Sequence, residues 1–121
     1  MENRFFYVKD YTSEPPAKAT KHVLYQNDRT NAVVWVIPPG EELPAHYHPE
    51  TDDVWIILQG RGEYYLGQGR TRTIEAGMVI PAEKGDIHGV KNTGSELFVF
   101  AAVSAPMPSV MIKEGEDSSK S

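Results

Sequence analysis

Gly40-Glu41-Glu42-Leu43-Pro44-Ala45-His46-Tyr47-His48-Pro49-Glu50-Thr51-Asp52-Asp53 opens the stretch that decides the fold, and Gly77-Met78-Val79-Ile80-Pro81-Ala82-Glu83-Lys84-Gly85-Asp86-Ile87-His88-Gly89-Val90-Lys91-Asn92 closes it. His46 and His48 are two residues apart. On a strand that spacing puts both imidazoles on one face and turns Tyr47 to the other. Asp53 follows the turn at residues 49–52, so a returning strand carries its carboxylate back beside the histidines. His88 arrives from a second hairpin region. Three neutral imidazoles and one carboxylate make a mixed nitrogen and oxygen site suited to a divalent first-row metal, with positions left open for water or substrate.

Outward from these blocks the chain reads as short strands punctuated by turn residues. Residues 5–8, 22–25 and 32–37 are strand-like. The last of these, Ala32-Val33-Val34-Trp35-Val36-Ile37, is apolar throughout, which implies burial on both faces. Residues 43–48 form a strand that Pro44 interrupts, at an edge or a bulge. Residues 53–58, 63–66, 70–74, 78–80, 87–90 and 97–103 complete the set. Gly67-Gln68-Gly69 is a hairpin turn, residues 81–85 a loop, and residues 110–112 pack back after Pro106 and Pro108. No helical period lasts beyond a turn or two. Many short strands at regular spacing indicate an all-β sandwich or barrel. The expected division is one domain over residues 1–114, with its motif core at 40–92, and a polar, disordered tail over 115–121.

Composition narrows the function classes. A net charge of −5 and a sequence pI of about 5.3, with no basic stripe, argue against nucleic acid and anionic membrane surfaces as partners. The chain has no cysteine, which excludes disulfides and thiolate chemistry. The absence of a signal-like apolar core near residue 1, or of a run of about 20 apolar residues, leaves a cytoplasmic location as the expectation.

Each site residue also has an ordinary explanation. Two strand histidines can sit on a surface, Asp53 can cap a turn, and His88 can end a loop. The combined spacing separates the readings, because the sequence here resembles the cupin superfamily. That family's first motif is a Gly, five residues, His-x-His, three or four residues, Glu, six residues and Gly; Gly40, His46, His48 and Gly60 match it, with Asp53 at the Glu position. Its second motif is a Gly, five residues, Pro, one residue, Gly, two residues, His, three residues and Asn; Gly77, Gly85, His88 and Asn92 match it, with Glu83 at the Pro position. The resemblance implies a double-stranded β-helix, the jelly-roll cupin barrel of the RmlC-like type. It implies His46, His48, His88 and Asp53 as ligands of one divalent transition metal ion (Zn, Fe, Mn, Ni, Co or Cu), a small-molecule ligand, and a homodimer. Asp53 is one methylene shorter than Glu. Either its strand moves inward, or its carboxylate binds through water, or the site loses a fourth protein ligand. Glu50 and Asp52 are nearby substitutes whose spacing does not match.

Around this site, Trp55 and Ile57 share strand parity with Asp53, only one of Tyr64 and Tyr65 faces inward, Asn92 fixes a turn, and His22, outside both motifs, is a surface residue. Phe5, Phe6, Tyr7 and Val8 form a candidate edge contact between copies. The expected function is that of a metalloenzyme performing oxygenase, decarboxylase or isomerase chemistry on a small organic substrate. The alternatives are a non-catalytic, metal-dependent binding or sensing domain and a structural dimeric barrel with an empty site.

Overall fold

The computed structural model describes residues 3–116. It contains a short 3-10 helix, Val8–Tyr11, and ten strands: β1 (Thr20–Gln26), β2 (Asn31–Ile37), β3 (Glu42–Tyr47), β4 (Asp52–Gln59), β5 (Arg61–Gly67), β6 (Arg70–Glu75), β7 (Val79–Ala82), β8 (His88–Lys91), β9 (Phe98–Ala105) and β10 (Ile112–Lys113). These form two five-stranded antiparallel sheets, ordered β1-β2-β9-β4-β7 and β10-β3-β8-β5-β6. The two sheets face each other as a double-stranded β-helix. Trp55, Phe98 and Phe100 from the first sheet and Leu43, Tyr64 and Val90 from the second fill the space between them. Each of these buried side chains contributes roughly 1.5–3 kcal/mol by leaving water. Among the described residues no helix is long and apolar enough to cross a membrane.

The uninterrupted apolar run on β2 has the expected cause. Val33 and Ile37 enter the main core, while Val34 and Val36 point to the outer face. There Val8, Leu24 and Leu97 cover them. This covering role accounts for a departure from the sequence reading. Residues 5–8 form no strand; the chain runs extended at Tyr7 and turns into the 3-10 helix at Val8, and Phe5 and Tyr7 are exposed. A second departure is β7, which includes Pro81 opposite Val54 where a loop was expected. Because β7 is the last strand of its sheet, the missing N–H of Pro81 breaks no ladder there. The hairpin at Gln68 and Gly69 is as read, with φ of 59° and 75° at its two turn residues, the pattern of a type I′ turn. Of the expected tail, Gly115 and Glu116 close a turn, the Glu116 N–H donating to the Lys113 carbonyl at 3.0 Å. The disorder expected for 117–121 lies outside the described residues.

Two local features bring the site together. β3 carries a bulge between Leu43 and His46, as Pro44 led one to expect, and beyond it His46 stands directly opposite His88 on β8. The bulge presses against Gly89, where φ is 150°; a Cβ there would lie 2.7 Å from the Leu43 carbonyl oxygen and 2.8 Å from that of Pro44. Gly89→Ala should therefore destabilise the protein by roughly 1–3 kcal/mol, since backbone atoms would have to move. A thermal melt within about a degree of the parent would show that the bulge yields freely. Beyond β8, buried Asn92 closes the next turn. Its Nδ2 donates to the Ile37 and Glu96 carbonyls, both at 2.8 Å, and its Oδ1 accepts from the Gly94 N–H at 2.9 Å.

Candidate metal centre

His46 projects from the end of β3 and His48 from just beyond it, His88 from the start of β8, and Asp53 from β4 across the barrel. A backbone carbonyl anchors each imidazole through Nδ1: Pro44 holds His46 at 2.7 Å, Val110 holds His48 at 2.9 Å, and Asp86 holds His88 at 3.0 Å. A carbonyl only accepts, so each Nδ1 carries the proton and each Nε2 presents a lone pair. This is how ligating histidines are oriented in metal sites. One ligand atom from each of the three lies within 4.8 Å of the other two. The His88 Nε2 is buried with no hydrogen-bond partner. An orphaned buried acceptor among converging lone pairs is what a bound cation would satisfy, so these residues fit a metal ion.

Asp53 borders this group, outside the set of three whose ligand atoms all lie within 4.8 Å of one another. Its Oδ2 is 3.2 Å from the His88 Nε2 and 3.9 Å from the His48 Nε2. With the His88 proton on Nδ1, its Nε2 has none to donate to this oxygen and stands without a hydrogen-bond partner. Protein donors hold both carboxylate oxygens: Ser104 Oγ at 3.0 Å on Oδ1, and Trp55 Nε1 at 3.2 Å on Oδ2. The side chain is thus braced against its own sheet, across the row in which β9 pairs Ser104 with Asp53. Its neighbours Asp52 and Glu50 are exposed, and Asp52 instead accepts from the Lys84 N–H at 2.9 Å. The Glu83 position is accommodated by Asp86, whose Oδ2 accepts the Glu83 N–H at 2.9 Å. The Gly85 N–H fastens this loop to the His48 carbonyl at 2.8 Å.

The electrostatics favour ligation. Burial lowers His46 to about 4, helped by the charges of His88 and His48 and opposed by the Pro44 carbonyl and Asp53. Burial also lowers His48, against the pull of the Val110 carbonyl. Both imidazoles are therefore neutral at neutral pH. Burial pushes the Asp53 carboxyl up, but the proton and positive charge that His88 brings when it is protonated, with the Ser104 and Trp55 donors, outweigh it and the net shift is downward. The carboxylate is thus anionic.

A cavity of about 270 Å³ opens onto His46, His48 and Asp53, with Trp35 and Trp55 as walls and Ser109 and Met111 at one side. A larger hollow of about 710 Å³, lined by Gly60, Arg61 and Thr93 among others, contains none of the four candidate ligands. Trp55 lines the cavity and packs in the core, whereas Ile57 lies in the core alone. Tyr64 is the inward tyrosine and packs edge-on to Trp55; Tyr65 faces out and donates to Glu42 at 3.2 Å. His22, on β1, pairs with Val34 of β2, away from the three histidines, with its ring against Tyr11. Sequence reasoning missed Lys21, Asn31 and Ser104, which also line the cavity. Their alternation with outward neighbours on β1, β2 and β9 was the available signal.

A family model described as "Cupin domain" matches residues 33–104. An uncharacterized protein from Aquifex aeolicus is 40% identical over 65 residues, covering 54% of this chain and 51% of that protein. The chain spans 51% and 64% of the lengths of two curated relatives it matches. Among solved structures, a Klebsiella pneumoniae protein described as an uncharacterized conserved protein with a double-stranded beta-helix domain superposes with a TM-score of 0.87. It is 31% identical, over 95% of this chain and 100% of that one. A Thermotoga maritima protein described as a predicted oxalate decarboxylase superposes with a TM-score of 0.67 at 26% identity, over 74% of this chain and 81% of that one.

Proposed function

Because the chain belongs to the cupin family, we propose that it is a metalloenzyme acting on a small organic molecule, with His46, His48 and His88 as ligands of one divalent transition metal ion. The observation that carries this reading is the set of three imidazoles, each tied back through Nδ1 to a carbonyl so that its Nε2 converges on the others beside a cavity. A bound ion there supplies a Lewis acid that polarises a substrate oxygen. Trp35 and Trp55 exclude water from one side of the substrate. Asp53 takes the place of the fourth ligand at one remove. Its short arm, braced by Ser104 and Trp55, holds an anionic carboxylate beside the three imidazoles, where it would accept a proton from the reacting molecule. Decarboxylation is the first reaction to assay, given the name carried by the Thermotoga relative; dioxygen-dependent and isomerising reactions follow.

The test is metal content and turnover measured together. Reconstituted protein should hold a single ion per chain. In Asp53→Asn, metal affinity should fall by less than about tenfold while turnover falls by a hundredfold or more, the usual range for losing a positioned proton acceptor. Loss of the ion from Asp53→Asn would make Asp53 a direct ligand instead. One observation favours a metal-dependent binding or sensing domain: the cavity wall holds no carboxylate other than Asp53, and protein donors engage both of its oxygens. A ligand recovered unaltered after long incubation with metal-loaded protein would select that reading. The proposal also takes the protein as a cytoplasmic homodimer; a solution mass of one chain at working concentration contradicts the dimer.

A further inference from the structure

Two of the three histidines are anchored locally. The carbonyls that accept from the Nδ1 of His46 and of His88 belong to Pro44 and Asp86, each two residues earlier in the chain. His48 is different. Its Nδ1 donates to the Val110 carbonyl at 2.9 Å, 62 residues away and beyond β9. The segment that carries Val110 is fixed at both ends. At its start the Pro106 carbonyl accepts from Thr51 Oγ1 at 2.8 Å, and the Met107 N–H donates to the Arg29 carbonyl at 3.1 Å. At its end β10 pairs buried Ile112 with Tyr47 and Lys113 with His46. There the Glu114 N–H donates to the Ala45 carbonyl at 2.9 Å, and the Glu114 carboxylate accepts from the Gln68 N–H at 2.7 Å. Between these ends Ser109 and Met111 line the cavity, while the Val110 side chain is exposed. A short terminal strand can serve simply to cover the edge of β3. That role needs β10 alone and leaves the Val110 carbonyl on His48 unexplained.

We propose that residues 109–114 position His48, and that docking of this segment on β3 is coupled to the binding of a metal ion at the three histidines. The hydrogen bond made by one ring nitrogen decides which of the two carries the proton. While the Val110 carbonyl accepts, the proton stays on Nδ1 and Nε2 offers its lone pair. Once the segment lifts, Nδ1 loses its acceptor and the proton can sit on Nε2. That tautomer cannot ligate through Nε2. The ion therefore binds the docked state better, and by linkage it favours docking by the same factor. Ile112 and Glu114 are positioning residues that act through Val110 on His48. Ile112 buries the end of the segment, and Glu114 ties it to the hairpin turn at Gln68. Because the same segment carries Ser109 and Met111, filling the centre also completes that side of the cavity wall. This rests on the reading of the three histidines as ligands, and it names a control on that same site.

The test combines histidine ¹⁵N spectra with Zn²⁺ titration and hydrogen exchange, on the full chain. In the metal-free parent all three rings should show the Nδ1–H tautomer. In Ile112→Ser, and to a smaller extent in Glu114→Ala, His48 should become a mixture with the Nε2–H form. His46 and His88 should keep the parent's signals, because their own carbonyls are untouched. Zn²⁺ affinity should fall by roughly tenfold or more in Ile112→Ser, the range for losing an outer partner of a ligand. Zn²⁺ should in turn slow exchange of the parent's backbone amides at 110–114 by roughly tenfold. Should Ile112→Ser lose the signals of all three histidines together, the barrel has unfolded, and Glu114→Ala, on the surface, decides the matter. An unchanged His48 tautomer in the variants, or exchange at 110–114 that ignores bound Zn²⁺, overturns the coupling and leaves the metal centre standing. If the parent takes up no Zn²⁺ but the tautomer shifts as described, the metal reading fails and the positioning of His48 stands.

Discussion

His88→Gln should lose metal affinity by at least about a hundredfold while the protein stays folded, and His22→Gln should bind metal as the parent does. The expected loss exceeds the ten- to hundredfold that follows removal of an outer partner, because a ligand itself is removed. His88 is the most decisive of the three positions. It is almost fully buried, its Nε2 has no partner in the protein, and it stands opposite His46 with ring centroids 4.2 Å apart. Glutamine occupies similar volume, so the variant tests ligation rather than packing. His22 is a fair control because it lies in a strand of the same barrel, with its ring 5.3 Å from Tyr11. Titration with Co²⁺ or Zn²⁺, alongside thermal melts of both variants, measures the effect. Equal affinities for His88→Gln and His22→Gln would remove the assignment of the centre.

The parts of the molecule legible in the sequence were those in which neighbouring residues carry the signal. The two-residue spacing of His46 and His48 fixes their common face through strand geometry alone, and the apolar run at 32–37 anticipated a strand covered on both sides. Pro44 anticipated the bulge. What escaped depends on contacts distant in sequence. Residues 5–8 have strand-like composition, but no strand edge receives them, and Val8 is used to cover Val34 and Val36. The sequence indicates that residues 110–112 pack back on the body, but not that the Val110 carbonyl orients His48 from 62 positions away. A carbonyl belongs to every residue, so no side-chain pattern marks it. Lys21, Asn31 and Ser104 meet Asp53 in one cavity because the sheet order β1-β2-β9-β4 brings four separated strands side by side. The Glu-to-Asp change was visible, but its consequence depended on Ser104 and Trp55, which hold the shortened carboxylate in place.

Metal-free protein should lose stability as the pH falls from about 6.5 toward 4. An unfolded histidine takes up a proton near 6.5, whereas burial holds His46 down to about 4 in the folded chain. Between those values the unfolded state binds more protons, so acid favours unfolding; above 6.5 this contribution to stability is fully present. His46 alone accounts for up to about 3 kcal/mol across the window, and His48, also lowered by burial, acts in the same direction. Asp53 adds its loss lower still, as the pH falls below the ordinary value of 3.8 and through its depressed folded value. Urea unfolding at pH 7.5 and pH 4.5 measures the difference. His46→Gln combined with His48→Gln should flatten most of it. A parent profile that is flat between those pH values would mean that the imidazoles are not held neutral. The same depression has a consequence for metal uptake. Histidines with ordinary values would be mostly protonated at pH 6 and would release protons as an ion binds. Here His46 is already neutral at that pH and His48 is shifted in the same direction, so calorimetry in buffers of different ionisation enthalpy should find fewer protons released than three ordinary histidines would give. The burial that weakens the metal-free protein in acid thus also reduces proton competition for the site.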